Sequence, residues 1–164
     1  MSSQIQKSNK YATASALIAL TILANITFCS LGASADDQSI LEAQKLFKQY
    51  TDFEHSYDLS QADLYAPNAI IKDTRIYQDG PSKTLTWNGG EYKQILKASL
   101  PVAKARNDQY NYSQVAYNKE GSNIRIKCIR YSVSKKYSAP LELVLTPNGK
   151  GGYKILEESC QSQP

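Results

Sequence analysis

Apolar residues recur first at helical spacing and later at every second position, so the chain predicts helices followed mainly by strands. The first helix runs from Ser39, where Ser39 and Glu42 have the spacing of a capping box. A second, short helix starts at Ser60 and ends before Pro67, because the residue before a proline is disfavoured in the helical region. The apolar positions of the first helix are Ile40, Ala43, Phe47, Tyr50, Phe53 and Tyr57.

Two strands and a third helix follow. Residues 69–77 and 83–87 are rich in β-branched residues and flank the turn signal Asp-Gly-Pro at 79–81, which predicts a hairpin. Asn88 and Glu91 have the spacing of a helix N-terminus. We expect Pro101 to kink or end that third helix, because proline lacks the backbone N–H that an interior helical position donates.

From Gln109 onward, apolar and polar residues alternate with period two. Short turns separate four such stretches, QYNYSQVAY, NIRIKCIRYSV, LELVLT and GYKILEES. Four consecutive strands joined by short turns predict an antiparallel meander. The resulting order of helices and strands, α-α-β-β-α-β-β-β-β, predicts an α+β fold.

The N-terminus predicts export. Two lysines precede an apolar run, and Ala33 and Ala35 stand in the small-residue spacing of a signal-peptidase site. We therefore expect a signal peptide over residues 1–35 and a single domain over 36–164. The run from Ala12 to Leu31 is also long enough for an uncleaved anchor. A lipidated Cys29 is disfavoured by the bulky residue before it.

Charge is distributed unevenly along the expected mature chain. Residues 36–92 hold 5 basic and 10 acidic side chains, whereas residues 93–164 hold 12 basic and 5 acidic ones. One interpretation is that the two segments attract each other within one domain. Alternatively, the basic strands bind an anionic partner. The residues for that interaction are Lys119, Arg125, Lys127, Arg130, Lys135 and Lys136.

Two cysteines, Cys128 and Cys160, remain after cleavage and would meet an oxidising compartment. In the expected strand register they lie about six residues apart along the sheet, or roughly 20 Å. That separation exceeds what a disulfide tolerates, so we expect free thiols unless the C-terminal tail folds back. The chain has one histidine and no paired-cysteine motif, so the sequence predicts no metal site and no cofactor.

The element order, together with DLYAPNAII after the second helix and WNGGEYKQIL at the third, resembles the nuclear transport factor 2-like superfamily over residues 39–159. This resemblance implies a cone in which a strongly bent, mostly antiparallel sheet of about six strands packs on three helices. A pocket opens at one end of the cone. The superfamily includes ketosteroid isomerases, scytalone dehydratase, polyketide cyclases and many members without known catalysis, so the fold does not select a function.

Isomerases of this superfamily use a tyrosine near the end of the first helix, a carboxylate on the first strand and a protonated aspartate on a later strand. Tyr57 and Asp73 match the first two positions. The strand 123–133, where we look for the third, offers Cys128 and Arg130 and no acid. Arg130 is expected to pair with Asp73 and lower its basicity, which argues against catalysis.

Other candidate residues have structural interpretations as well. His55 lies on a polar stretch of the first helix and is expected at the surface. Asp73 shares a strand face with Ile71 and Arg75, so a pair with Arg75 is an alternative to a functional role. Eleven of the 12 tyrosines lie after residue 35, and they would give a pocket both apolar faces and hydroxyls for ring-shaped or sugar-like ligands.

The sequence thus favours an exported, bacterial, non-catalytic binding or accessory domain with a pocket for a small, partly apolar ligand. The alternatives are an isomerase, cyclase or lyase that uses Asp73 and Tyr57, and a domain that docks on anionic envelope polymer or a partner protein. Nucleic acid is not an expected partner, nor is the membrane after cleavage, and a homodimer remains open. The expected pocket residues are Tyr57, Tyr65, Asp73, Trp87, Tyr112 and Arg130.

Overall fold

A computed structural model of the chain describes residues 35–77 and 80–163. The predicted signal peptide up to residue 34, with its anchor and lipidation alternatives, and residue 79 of the predicted turn lie outside the described residues. Within the described part, no helix combines the length and the apolar character that crossing a bilayer would need.

The first helix, α1, spans Ala35–Ser56 and begins four residues before the predicted start. Ser39 therefore lies inside the helix, and the predicted capping box was wrong as a helix start. The Glu42 carboxylate instead accepts hydrogen bonds from Gln38 and Lys45 on the helix surface. Asp36 and Asp37 occupy the first turn, where negative side chains interact favourably with the helix dipole.

A 3-10 helix, Leu59–Leu64, follows α1 and confirms the short helix before Pro67. The Asp58 side chain caps it by accepting a hydrogen bond from the Ser60 amide at 2.8 Å. The last helix, α2, spans Gly89–Arg106. Its predicted N-terminus is confirmed: Asn88 and Glu91 each bond the other's backbone amide at 2.9 Å, which is a complete capping box.

Helix α2 does not end at Pro101, contrary to one of the two expected outcomes. It continues to Arg106 and ends at Asn107, whose left-handed backbone lets its amide bond the carbonyls of residues 103 and 104. Pro101 is exposed, so water can solvate the carbonyl that loses its helical partner there. At the other end of α2, a Cβ on Gly89 would lie 2.6 Å from the Ala66 carbonyl oxygen, so glycine permits this close approach to the sheet.

The described residues form six strands, β1 Tyr65–Arg75, β2 Lys83–Asn88, β3 Tyr110–Glu120, β4 Asn123–Ser132, β5 Tyr137–Pro147 and β6 Tyr153–Ser162. They form one sheet in the order β2-β1-β6-β5-β4-β3. Neighbouring strands are antiparallel except β1 and β6, which are parallel, so the predicted meander and the mostly antiparallel α+β fold are confirmed.

Strand β1 begins four residues earlier than predicted and includes Pro67. The pairing of β1 with β6 shifts register between Tyr65 and Ile70, and Pro67, which has no N–H to donate, lies in that irregular stretch. Further register shifts occur in β3 and in the β5–β6 pair. Such bulges bend strands, which suits a curved sheet that packs against helices.

Candidate functional site

A cavity with a volume of about 540 Å³ lies between the sheet, the C-terminal end of α1 and one side of α2. This volume falls in the range of small-molecule sites, on the order of 300–1,000 Å³. We call the end where β1, β6, α1 and α2 all finish the open end. The opposite end, where Gly89 approaches Ala66, is the closed end.

Strands β1 and β6 supply one wall of the cavity. Because these strands are parallel and adjacent, their inward-facing residues lie side by side. Three such pairs line the cavity: Ile71 with Glu158, Asp73 with Cys160, and Arg75 with Ser162. From the closed end to the open end, the side chains of this wall become more accessible, from Ile71 and Glu158 at 1% exposed to Arg75 at 43%.

Glu158 lies deepest in this wall and is 1% exposed. Tyr65 donates its hydroxyl hydrogen to the Glu158 carboxylate. Burial raises the pKa of Glu158 to about 7, while the Tyr65 hydrogen bond and the positive charge of Arg130 act to lower it. Near neutral pH, Glu158 is therefore a mixture of the acid and the carboxylate, and can both donate and accept a hydrogen bond.

Glu54 and Arg130 form a second buried polar pair. Arg130 Nη1 lies 3.9 Å from Glu54 Oε1, and their side chains are 11% and 14% exposed. Tyr112 donates its hydroxyl to the same carboxylate, and the Arg130 guanidinium lies 4.7 Å from the centre of the Tyr110 ring. Burial raises the pKa of Glu54, and Arg130 and the Tyr112 hydrogen bond oppose that change. We call Glu54, Arg130 and Glu158 together the cavity floor.

Asp73 lies nearer the open end and is bonded on both oxygens. Ser162 donates to Oδ2 at 3.0 Å, Cys160 donates to Oδ1 at 3.7 Å, and Arg75 Nε lies 3.5 Å from Oδ2. The predicted Asp73–Arg75 pair is confirmed. The expected Asp73–Arg130 pair was wrong, because the Arg130 guanidinium instead lies near Glu54 and donates to the Gln161 carbonyl at 3.5 Å.

Strand β2 and helix α2 supply the apolar wall. The Trp87 ring lies 6.3 Å from the ring of Tyr92, and both line the cavity. The remaining apolar side chains come from one face of α2: Ile95, Leu96, Leu100 and Val102. A ligand in this cavity would therefore meet an apolar helix surface on one side and polar strands on the other.

Tyr57 stands at the open end, in an unusual backbone conformation. Its φ is 57°, in the left-handed region of backbone conformation that residues other than glycine seldom adopt. Its hydroxyl donates to Asn107 Oδ1 at 3.4 Å and accepts a hydrogen bond from Gln109. These bonds connect the end of α1 to the end of α2, so Tyr57 fixes the separation of the two helices at the cavity entrance.

Of the six predicted pocket residues, Tyr57, Asp73, Trp87 and Arg130 line the cavity. Tyr65 and Tyr112 are not part of the lining. They donate hydrogen bonds to lining residues, Tyr65 to Glu158 and Tyr112 to Glu54. Sequence reasoning missed Glu54 and Glu158. It looked for an acid on the strand 123–133, whereas the strand adjacent to β1 is β6.

The basic residues expected to bind an anionic partner do not share one surface. Arg130 faces the cavity, whereas Arg125 and Lys127 alternate to the other face of β4. Arg125 forms ion pairs with Glu120 and Glu142, and Lys127 lies 3.3 Å from Glu142. Lys119 pairs with Asp36, and Lys135 donates to the Gln163 carbonyl at 2.6 Å. Contacts within the protein thus neutralise much of this charge, and the anionic partner stays a prediction.

Both cysteines are free thiols, as expected, but for a different geometric reason. Cys128 and Cys160 each pair with Leu141, from opposite sides of β5, so they stand two strands apart at about 10 Å rather than 20 Å. This separation still exceeds the reach of a disulfide. Burial raises the pKa of the Cys160 thiol, so it remains protonated and donates to Asp73.

His55 is exposed, as predicted, and its Nε2 lies 2.6 Å from the Tyr110 carbonyl oxygen. This contact connects the end of α1 to the start of β3 outside the cavity lining. Among the residues that the structure describes, no cluster of three histidine, cysteine, aspartate or glutamate side chains is arranged to hold a metal ion.

No protein-family model and no curated protein matches the sequence. Solved structures do match its fold. A nuclear transport factor 2-like protein of unknown function from Pseudomonas putida has a TM-score of 0.58 and 9% identity, and the match covers 74% of this chain and 84% of that one.

Two further solved structures resemble the chain to a similar degree. A protein of unknown function with a cystatin-like fold from Nostoc punctiforme has a TM-score of 0.57 at 14% identity, over 80% of this chain and 94% of that one. A nuclear transport factor 2-like protein of unknown function from Shewanella baltica has a TM-score of 0.57 at 9% identity, over 77% and 95%. The chain therefore has the nuclear transport factor 2-like fold that its sequence predicted.

Proposed function

We propose that this protein is an exported binding domain that holds a small, partly apolar ligand in its cavity. The observation that carries the proposal is the two-sided lining: Trp87 and the α2 side chains face the strand carboxyls and Arg130 across about 540 Å³. Ligand sites commonly combine an apolar lining with a few convergent polar groups, which orient the ligand.

The contacts of Asp73 favour binding over catalysis. A general base needs a free lone pair directed at the substrate proton. Both oxygens of Asp73 are already engaged, since Ser162 and Cys160 donate hydrogen bonds to them and Arg75 Nε lies 3.5 Å from Oδ2. Asp73 is therefore a better anchor for a polar ligand group than a proton acceptor.

Proton transfer is the second candidate, and Glu158 is the observation that favours it. The strand 123–133 holds no acid, but Glu158 lines the same cavity as Asp73 from the adjacent strand. Its pKa of about 7 leaves much of it protonated and able to donate to a developing oxyanion. Asp73 would act as the base and Tyr57 would border the substrate.

One pair of measurements separates the two candidates. Enolisable ketones, including ketosteroids, are tested for binding and for solvent-hydrogen exchange with the wild type, Asp73→Asn and Glu158→Gln. Asp52→Asn, which removes an exposed carboxylate of α1, is the matched control. We expect the cavity variants to change ligand affinity without any turnover. If the wild type turns over a ketone and Asp73→Asn abolishes that turnover, the proposed function is wrong and the protein is an enzyme.

The export half of the proposal rests on residues 1–35. The apolar run, the Ala-Ser-Ala stretch at 33–35 and the two acids that follow all support cleavage after Ala35. Intact-mass measurement of the protein recovered outside the cytoplasm tests it. A mass that begins at Asp36 is expected, and a mass that retains the first 35 residues would support the anchor instead.

A further inference from the structure

The charged groups around the cavity differ in burial. The buried groups are the carboxyls Glu54, Asp73 and Glu158, together with the guanidinium of Arg130. The outer groups at the open end are Arg75, Arg106 and Lys135, with one carboxylate, Asp108. The interior therefore carries an excess of hydrogen-bond acceptors, whereas the entrance carries an excess of positive charge.

The three entrance cations differ in whether they already contact a carboxylate or carbonyl of the protein. Arg75 lies against Asp73, and Lys135 donates to a backbone carbonyl. Asp108 accepts a hydrogen bond from Ser134 at 2.9 Å. No carboxylate of the described residues forms an ion pair with Arg106, which is exposed at the last turn of α2. Arg106 is thus the entrance cation with the most capacity to bind an anion.

The floor is suited to an uncharged donor. The Glu54 and Glu158 carboxyls each accept one tyrosine hydroxyl, and a carboxylate has about four acceptor positions. A ligand ammonium would be attracted by these carboxyls but repelled by Arg130, which lies among them. A hydroxyl avoids that repulsion, and it can donate to the carboxylate of Glu158 or accept from its acid form.

The distance between floor and entrance sets the length of the ligand. Glu158 and Ser162, both in the β6 wall, are separated by four residues of extended strand, or roughly 13 Å. Apolar side chains of α2 and Trp87 line the space between these levels. Resting on the proposed function, we propose that the ligand is a hydroxy acid with an apolar body, its hydroxyl on the cavity floor and its carboxylate at Arg106.

The test uses four probes that share one apolar chain: 10-hydroxydecanoate, decanoate, methyl 10-hydroxydecanoate and 10-aminodecanoate. Their extended length approximates the separation of floor and entrance. Trp87 is the single tryptophan of the chain and lines the cavity, so its fluorescence reports binding directly. Arg106→Gln removes one of the three entrance cations, and Lys104→Gln removes a positive charge from the same helix outside the cavity lining.

We expect 10-hydroxydecanoate to bind most tightly, with decanoate and the methyl ester each weaker by about threefold or more. Arg106→Gln should weaken the two acids by about threefold and leave the ester unchanged, whereas Lys104→Gln should change none. Added salt should weaken the acids and not the ester.

Three results would contradict the hydroxy-acid assignment, and each overturns a different part of it. If 10-hydroxydecanoate and its methyl ester bind with equal affinity, and Arg106→Gln changes neither affinity, the carboxylate site at the entrance is overturned, while ligand binding in the cavity is not. Tightest binding of 10-aminodecanoate overturns the uncharged floor group. If no probe changes Trp87 fluorescence or releases heat, the hydroxy-acid assignment fails as a whole, and the ketone-binding measurements decide the proposed binding function separately.

Discussion

The closed and open halves of the same strands have opposite chemistry. On β4, the inward positions run from Ile124 and Ile126, which are at most 1% exposed, to Cys128 and then Arg130 at the cavity. On β1 they run from Ala69 and Ile71 to Asp73 and Arg75, and on β6 from Ile155 to Glu158, Cys160 and Ser162. The three strands run in the same direction, and each changes from apolar to polar toward the open end.

This difference separates the part of the molecule that stabilises the fold from the part available for function. At the closed end, burial of aliphatic side chains contributes free energy without any need for hydrogen-bond partners. At the open end, each buried polar group needs a partner, and the tyrosines, Ser162 and Arg130 supply them. The open end therefore contributes less to stability and retains groups that a ligand can contact.

The largest expected effect is in the closed half. Leu143→Ala removes a side chain that is 0% exposed on β5, and we expect the free energy of unfolding to fall by about 2–5 kcal/mol. Leu41→Ala is the matched control, since Leu41 is 45% exposed on α1 and should cost far less. Urea unfolding measures both. A loss below that of the control would mean that the closed half does not carry the stability.

The next effect concerns the pH dependence of the open half. Because burial raises the pKa of Glu158 from 4.5 to about 7, the folded state holds a proton that the unfolded state releases between these values. The free energy of unfolding should therefore fall as pH rises through this window, by up to roughly 3 kcal/mol from this group.

Urea unfolding of the wild type and Glu158→Gln at pH 4.5, 6, 7 and 8 isolates this contribution. Glutamine cannot titrate, so the free energy of unfolding of the variant should fall less than that of the wild type as pH rises. The difference between the two pH dependences should grow up to pH 7 and change little above it. Glu157→Gln, which changes the exposed neighbour, is the control. Parallel pH profiles for the wild type and Glu158→Gln would contradict the buried, protonated carboxyl.

The smallest of these effects lies at the cavity entrance. Asn107 ends α2 in the left-handed region, with φ at 53°. Alanine is less favourable than asparagine in this conformation, so Asn107→Ala should lower the free energy of unfolding by about 1 kcal/mol. Asn107→Gly, which adopts this conformation freely, should stay near the wild type in urea unfolding. Equal losses in both variants would assign the effect to the lost bond with Tyr57 instead.

The sequence predicted the fold better than the site, and the bulges explain the difference. Period-two alternation located the four strands of the meander, and Asn88 with Glu91 located the start of α2 correctly. Strict alternation from the buried Ile155 would turn Glu157 inward, yet the register shift between β5 and β6 turns Glu158 inward instead. The parallel pairing of β1 with β6, which brings Glu158 beside Asp73's strand, has no local signal in either strand.

Amide chemical shifts of the protein titrated with 10-hydroxydecanoate test most directly that the open half of the sheet is the binding half. We expect saturable changes at 71–75, 128–132 and 158–162, with small changes at Ile124, Leu145 and Ile155, the paired apolar positions at the closed end of the same sheet. A groove at the closed end, lined by Ala66, Asn68 and Lys150, offers the alternative location. The largest saturable changes at 66–68 and 146–150 would contradict the account.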